Sequence, residues 1–212
     1  MARNKPHWRR DKSLERRAGR RSASPAFLVV CEGETEKEYL EALKRAWRIN
    51  TAQVVVADNN VGSDPGSVVK CALTHYDGFT YDRVFCVFDR DSHATFENAR
   101  ERIRQLASRQ RRPVPIAEAI SVPCIELWFL LHFGYSTREF PSFNSIRPAL
   151  AAHIEGYEKA DRDIAERLVA RIEEAIRNAK RLEREAVEAG FANPFTSFHR
   201  LVEQIRYLAT PP

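Results

Sequence analysis

The stretch Ala26-Phe27-Leu28-Val29-Val30-Cys31-Glu32-Gly33 decides the fold class of this chain. Its first six residues form a short apolar run, which predicts a buried β-strand. A polar turn follows at once, and Thr35 with Glu38 has the spacing of a helical capping box. Apolar residues then recur at helical spacing as far as Trp47, so a strand leads directly into a helix.

The same alternation repeats along the first half of the chain. Apolar runs over residues 53–57, 83–88 and 116–122 predict three further strands. Helical patterns over 67–76 and 94–107 separate them, which is typical of a parallel sheet with crossover helices. Because the strands are almost continuously apolar, we expect helices on both faces of the sheet. The prediction is an α/β core with about four parallel strands and flanking helices.

The second half is helical by pattern, and from residue 145 onward we predict no strand. Residues 124–132 indicate a buried apolar helix, 161–189 a long charged helix and 197–208 a last helix. We divide the chain into three parts: a basic arm (1–24), an α/β core (25–135) and a helical extension packed on that core (136–212).

Positive charge is concentrated in the arm. The 212 residues have a formal net charge of +5 at pH 7. Residues 1–24 hold nine Lys or Arg residues and two acidic residues, so the remainder of the chain has a net charge of −2. The arm has no apolar periodicity, and we expect it to be disordered. Two roles stay open for it, a solubilising tail and a phosphate-binding segment.

Composition excludes several classes of protein. No apolar run is long enough for a membrane span, and the first residues lack the apolar segment of a signal peptide. We therefore expect a cytoplasmic protein with no membrane partner. The four cysteines match no zinc spacing and lie in apolar runs, which predicts reduced core thiols. The chain has no Gly-x-x-x-x-Gly-Lys loop, so we do not expect it to bind ATP in a P-loop.

Acidic residues follow two of the predicted strands, Glu32 after the first and Asp89 with Asp91 after the third. Sites in parallel α/β sheets form outside the carboxyl ends of the strands, so these carboxylates converge if the two strands are neighbours. Close carboxylates repel one another unless a proton or a cation neutralises them. Oxygen ligands suit Mg²⁺ or Mn²⁺, and the pattern therefore predicts a divalent-metal site. The competing interpretation is that acids at strand ends are ordinary turn residues.

Glu126 lies in the predicted apolar helix beside Trp128, where a buried carboxylate requires a partner. Two interpretations stay open for it: a member of the site, or a core acid that is hydrogen-bonded to the backbone. His132, at the end of the same helix, is favoured as a core histidine.

An apolar strand followed by Glu-Gly, with Asp-x-Asp after a later strand, resembles the Toprim domain of topoisomerases, primases and OLD-type nucleases. More closely, about residues 26–208 resemble the RloB-like family of phage-defence proteins. Five stretches carry this resemblance: FLVVCEGETE (27–36), VFDRD (87–91), VPCIELWFLLHF (122–133), YEK (157–159) and NPFTSFH (193–199).

The resemblance implies a Toprim-like core and metal-dependent hydrolysis of phosphodiester bonds in DNA or RNA. It also implies a role in antiviral defence together with an ATPase partner of the RloA or OLD type. One position departs from the pattern, because Phe195 stands where a small hydroxyl residue more often follows Asn-Pro. We give that position no role.

Site residues are carried over position by position. Three acids match the Toprim metal ligands: Glu32, Asp89 and Asp91. Three further residues match the RloB-like pattern and, with Glu32, are the candidate catalytic residues: Glu36, Glu126 and Lys159.

In these roles, metal ions on the aspartates lower the pKa of a bound water, and Glu32 is a ligand or a general base. Lys159 stabilises the charge that develops on the phosphate. An alternative from another class is a non-catalytic nucleic-acid-binding or adaptor subunit. A receiver-like regulatory domain fits poorly, because Gly33 rather than a second acid follows Glu32.

Overall fold

A computed structural model describes residues 25–57, 64–90, 94–190 and 192–209. Strands and helices alternate as far as residue 122, and the chain beyond it is mainly helical. The predicted basic arm, residues 1–24, lies outside the described residues.

The strands are β1 (Phe27–Cys31), β2 (Ala52–Val56), β3 (Arg83–Asp89), β4 (Ile116–Val122) and β5 (Phe195–Thr196). They form one sheet in the order β2-β1-β3-β4-β5. The first four are parallel and lie within one residue of the predicted runs, which confirms the α/β prediction. β5 pairs antiparallel with β4. The prediction of no strand after residue 145 is therefore wrong, because a two-residue strand has no sequence period of its own.

The helices of the described residues are α1 (Glu34–Trp47), α2 (Pro65–His75), α3 (Phe96–Ala107), α4 (Glu126–Leu130), α5 (Phe143–Ala151), α6 (Arg162–Val169), α7 (Ile172–Ala189) and α8 (Phe198–Ala209). Gly33 is the N-cap of α1, so the predicted capping box at Thr35 is wrong. The single helix predicted over 161–189 is also wrong, since α6 ends at Val169 and α7 begins at Ile172.

Two buried clusters lie on the two faces of the sheet, because successive side chains of a strand point to opposite faces. The smaller cluster packs Leu28 and Val30 of β1 against α2 and α3. The larger cluster packs Phe27 and Val29 against α1 and the helices that follow β4, as far as Ile205 in α8. Full burial of each large apolar side chain contributes about 1.5–3 kcal/mol. The larger cluster therefore joins residues from both halves of the chain.

All four cysteines are free; Cys31, Cys86 and Cys124 are buried and Cys71 is partly exposed. Among the described helices, none combines the length and the apolar character that crossing a bilayer requires.

Candidate functional site

Glu32 and Asp89 meet at the carboxyl edge of the sheet because β1 and β3 are neighbours. In the register of the two strands Cys31 lies opposite Val87, so both acids follow at the same edge. The backbone N–H of Glu32 donates to the carbonyl of Val87 at 2.9 Å. The backbone N–H of Asp89 donates in turn to Oε2 of Glu32 at 3.1 Å. The two acids thus lie side by side, as the strand-end pattern requires.

The carboxylate of Asp89 also contacts the backbone just before α4. Its Oδ2 accepts a hydrogen bond from the backbone N–H of Ile125 at 3.1 Å. Ile125 immediately precedes α4, whose first residue is Glu126. Asp89 therefore fixes the start of α4 relative to the end of β3.

Glu36 lies on α1, one turn after Gly33, and is only 4% exposed. Burial raises the pKa of Glu36 to about 7, and the charges of Glu32 and Glu126 add to this effect. A Cβ atom placed on Gly33 would lie 3.1 Å from Oε2 of Glu36. The glycine thus leaves room for the Glu36 carboxylate beside the turn that carries Glu32.

Glu126 is fully buried, and its two carboxylate oxygens have different surroundings. Oε1 accepts a hydrogen bond from the hydroxyl of Tyr157 at 2.9 Å and lies 3.7 Å from Nζ of Lys159. Oε2 has no hydrogen-bond partner among the described residues. A buried charged oxygen without a partner is costly, so this atom is poised to accept a cation or a proton.

Lys159 stands at the open side of the site. Its side chain is 56% exposed, and Nζ lies 4.3 Å from the centre of the Phe143 ring. Its ion pair with Oε1 of Glu126 links the buried carboxylate to the surface of the protein. Its ammonium group can therefore contact both the buried carboxylate of Glu126 and a molecule that arrives from solvent.

We call Glu32, Glu36, Asp89 and Glu126 the carboxylate cluster. Burial raises the pKa of Asp89 well above its usual range, and the charges of the other three acids raise it further. These mutual effects show that the acids are electrostatically coupled although they come from separate elements.

The structure brings together every described residue that the sequence predicts for the site. Asp91, predicted as a metal ligand, lies outside the described residues. The sequence predicted no role for Tyr157 and did not reveal that Gly33 lies close to the carboxylate of Glu36. The signal for Tyr157 was its position in the Tyr-x-Lys stretch, two residues before Lys159. Burial and then the charge of Glu126 raise the pKa of Tyr157, so its hydroxyl stays a donor to that carboxylate.

The donor set can be tested against a divalent cation. All four donors are carboxylates, the preferred ligands of Mg²⁺ and Mn²⁺, and the unpaired Oε2 of Glu126 adds a buried acceptor. Within the ranges that the structure describes, no three His, Cys, Asp or Glu side chains converge closely enough to hold a metal ion. The four carboxylates thus suit such a cation in their chemistry.

His132 belongs to the core beside this site. It is fully buried, and its ring nitrogens lie 2.9 Å from the hydroxyl of Tyr39 and 2.9 Å from the carbonyl of Trp128. Burial lowers the pKa of His132 to about 4, so the ring is neutral at neutral pH. The prediction of a core histidine is confirmed.

Comparison with known proteins gives one positive result. No curated protein and no solved structure matches the chain. The model of the RloB-like protein family matches residues 27–205, which include all five strands and every described site residue. This match confirms the resemblance that five short stretches of the sequence predicted. The chain therefore belongs to the RloB-like protein family.

Proposed function

We propose that this chain is a metal-dependent nuclease that hydrolyses phosphodiester bonds in DNA or RNA. The observation that carries the proposal is the carboxylate cluster at the carboxyl edge of the sheet, with the half-exposed Lys159 at its open side. Phosphodiester hydrolysis needs charge neutralisation at the phosphate and a group that accepts a proton from water. Carboxylates and a lysine in this arrangement are able to supply both.

Glu32 and Asp89 are the described residues that would hold Mg²⁺ or Mn²⁺, and Asp91 is a further proposed ligand. A bound divalent ion supplies Lewis acidity toward a phosphate oxygen and lowers the pKa of a bound water. Glu32 also suits the role of general base, because its carboxylate stands next to Asp89.

Glu36 suits proton transfer at neutral pH. Its pKa of about 7 lies near the pH at which a general base is most effective. Lys159 suits the opposite task, since its exposed ammonium group can donate to a phosphate oxygen as negative charge develops. Tyr157 orients Glu126 by donating a hydrogen bond to Oε1. Oε2, which has no hydrogen-bond partner among the described residues, can then accept a cation or a proton.

Family membership supports two further proposals, one about the fold and one about the role of the protein in the cell. We propose a Toprim-like core over residues 25–135, with the helical extension of residues 136–212 packed on it. We also propose that the protein acts in bacterial antiviral defence together with an ATPase partner of the RloA or OLD type. The acids after β1 and β3 support the first of these proposals, and the family match supports the second.

A cleavage assay tests the nuclease proposal. Plasmid DNA, single-stranded DNA and tRNA are incubated with the full chain in Mg²⁺, in Mn²⁺ and in EDTA. We expect products that need the metal and that disappear in Asp89→Asn, which keeps an acceptor for the Ile125 N–H but removes the charge. Asp163→Asn, at an exposed acid of α6, is the matched control and should cleave normally. Cleavage that persists in Asp89→Asn contradicts the proposal.

The half-exposed Lys159 also suits a second function, that of a non-catalytic nucleic-acid-binding or adaptor subunit, since its ammonium group can contact a phosphate without hydrolysis. In that case the protein binds nucleic acid with equal affinity in wild-type and Asp89→Asn forms, and no substrate is cleaved with either metal.

A further inference from the structure

The amino edge of the sheet, opposite the carboxylate cluster, carries an aromatic ring that stands in solvent. Phe79 lies in the turn between α2 and β3 and is 97% exposed. It lines an open cavity of about 540 Å³ together with Tyr76, Asp77, Gly78, Arg112, Pro113 and Val114. A large exposed aromatic residue at the rim of a concave surface is a feature of binding sites.

Hydrogen bonds to one side chain fix the turn that presents this ring. The carboxylate of Asp77 accepts the backbone N–H groups of Phe79 and Thr80, each at 2.8 Å. It also accepts the hydroxyl group of Thr80. Phe79 is therefore held outward by local structure, so a ligand that stacks on the ring need not first order the turn.

Several exposed arginines lie at this edge of the sheet. Arg83 begins β3, and the segment between α3 and β4 contributes Arg109, Arg111 and Arg112. All four are exposed, and none forms an ion pair with another residue in the ranges described. Arg83 lines a second cavity of about 250 Å³ that shares Pro113 and Val114 with the first. Phe79, Arg112 and Arg83 thus line two adjoining cavities, which we call the amino-edge surface.

The acids near this surface are already engaged. Asp77 holds the turn, and Oδ2 of Asp82 accepts the backbone N–H of Ala26 at 2.8 Å. Phe27, the next residue, lies opposite Arg83 in the strand register. Residues 1–24, with nine basic side chains, therefore join the described chain at the edge where these arginines stand.

Arg112 occupies an unusual backbone conformation for an arginine. Its φ is 54°, in the left-handed region that glycine adopts most readily. A glycine at this position would relieve the backbone and remove the cation at the same time. Arg112→Gly is therefore a variant that removes the charge without straining the turn.

We propose that the amino-edge surface binds single-stranded nucleic acid, with Phe79 stacked on a base and Arg83 and Arg112 in contact with phosphates. Proteins that bind single strands without sequence preference combine stacking rings with cations that follow the backbone. This site is separate from the proposed nuclease site. The seven residues of β3 place it about 20 Å from the carboxylate cluster at about 3.3 Å per residue.

Fluorescence anisotropy tests the proposal on the full chain in EDTA, which suppresses cleavage. The probes are labelled single-stranded DNA and RNA of about 15 nucleotides, within the range of typical site sizes. Phe79→Ala should weaken binding about tenfold at every salt concentration, as expected for a lost stacking contact. Arg83→Ala and Arg112→Gly should each weaken binding and reduce the slope of log K against log salt by about 0.7. Arg177→Ala, at an exposed arginine of α7, is the charge-matched control and should leave the affinity and the slope unchanged.

The proposal is overturned if Phe79→Ala binds like the wild type, or if Arg177→Ala changes the slope as much as Arg112→Gly. It is also overturned if the wild type binds neither probe and Phe79→Ala instead dissociates a dimer in size-exclusion chromatography, since the surface would then be a protein interface. The result does not depend on the nuclease proposal, because loss of cleavage in Asp89→Asn leaves this binding unchanged.

Discussion

Charged side chains are buried at the carboxyl edge of the sheet and exposed at its amino edge. At the carboxyl edge, Glu36 and Glu126 are buried, and the acids raise one another's affinity for protons. At the amino edge, the side chains of Arg83 and Arg112 are exposed. Buried charges interact strongly because little solvent screens them, whereas exposed charges interact weakly and mainly attract ligands of opposite sign. The carboxyl edge is therefore suited to chemistry and the amino edge to binding.

This difference makes the effect of a substitution depend on the edge at which it is placed. Removal of one exposed arginine changes a screened interaction, and we expect a moderate loss of affinity. Removal of one acid from the carboxylate cluster changes the protonation of the other three, and we expect losses that are larger and coupled. Four substitutions or conditions at the carboxyl edge test this expectation.

The largest effect is expected at Asp89. Asp89→Asn should weaken Mn²⁺ binding by more than about 100-fold, since changes outside the ligand shell alone cost about 10- to 100-fold. Isothermal titration calorimetry measures this affinity, with Asp163→Asn as the control. Unchanged Mn²⁺ binding in Asp89→Asn, or none in the wild type, would remove the metal from the carboxyl edge.

Glu126→Gln should lower nuclease activity by about 100-fold, which is typical of a lost acid–base or ligand group. Its melting temperature should stay at or above that of the wild type, because a neutral amide replaces a buried carboxylate with an unpaired oxygen. Thermal melts and cleavage assays on the same preparation measure both. If stability falls by the equivalent of about 1–3 kcal/mol while specific activity is kept, Glu126 is a structural residue.

Gly33→Ala should reduce activity about tenfold, because the new methyl group displaces the Glu36 carboxylate that lies 3.1 Å away. The backbone of Gly33 is extended, a conformation that alanine adopts freely, so the melting temperature should change little. Gly134→Ala is the control, since nothing lies within 4 Å of its added methyl group. Equal activities of the two variants would show that Glu36 tolerates displacement.

The smallest effect is a pH dependence of stability in the metal-free protein. Glu36 has a pKa of about 7 in the folded state, above its ordinary value of 4.5. Between these two values the folded state holds a proton that the unfolded state lacks, so stability falls as pH rises from about 4.5 to 7. The raised pKa of Asp89 acts in the same direction.

Thermal melts in EDTA measure this dependence. From pH 5 to pH 7.5, the melting temperature of the wild type should fall relative to Glu36→Gln by on the order of 5 °C. Mn²⁺ should reduce the fall, because a cation replaces the proton that the cluster loses. An equal pH dependence in both proteins would show that Glu36 titrates normally.

Strand positions were predictable from the sequence because burial on both faces requires continuous apolar runs such as Leu28–Val30. The proximity of Glu32 and Asp89 followed from the same runs once their strands were taken as neighbours. The role of Glu126 remained ambiguous, because its partner Tyr157 is 31 residues away and no local pattern joins them. The close approach of Gly33 to Glu36 is likewise visible only when the helix geometry is known.

Helix boundaries failed where tertiary packing overrides the local pattern. The break between α6 and α7 at Ala170 and Arg171 contains neither glycine nor proline, so the sequence gives no stop signal there. Thr35 is followed three residues later by Glu38, as a capping box requires. The helix nevertheless begins earlier, because Gly33 is its N-cap and α1 follows the strand directly. β5 depends on contact with β4 across about 75 residues of chain, which no short window of sequence can contain.

The larger buried cluster has a consequence for how the chain folds as it is made. Every fully buried residue of the smaller cluster lies at or before Ile120, whereas the larger one also needs Phe198 to Ile205 of α8. At about 5–20 residues per second, synthesis of the roughly 80 intervening residues takes about 4–16 s. During that interval part of one sheet face stays uncovered on the ribosome. We therefore expect the nascent chain to engage chaperones on that face, and the face that packs on α2 and α3 to be protected first.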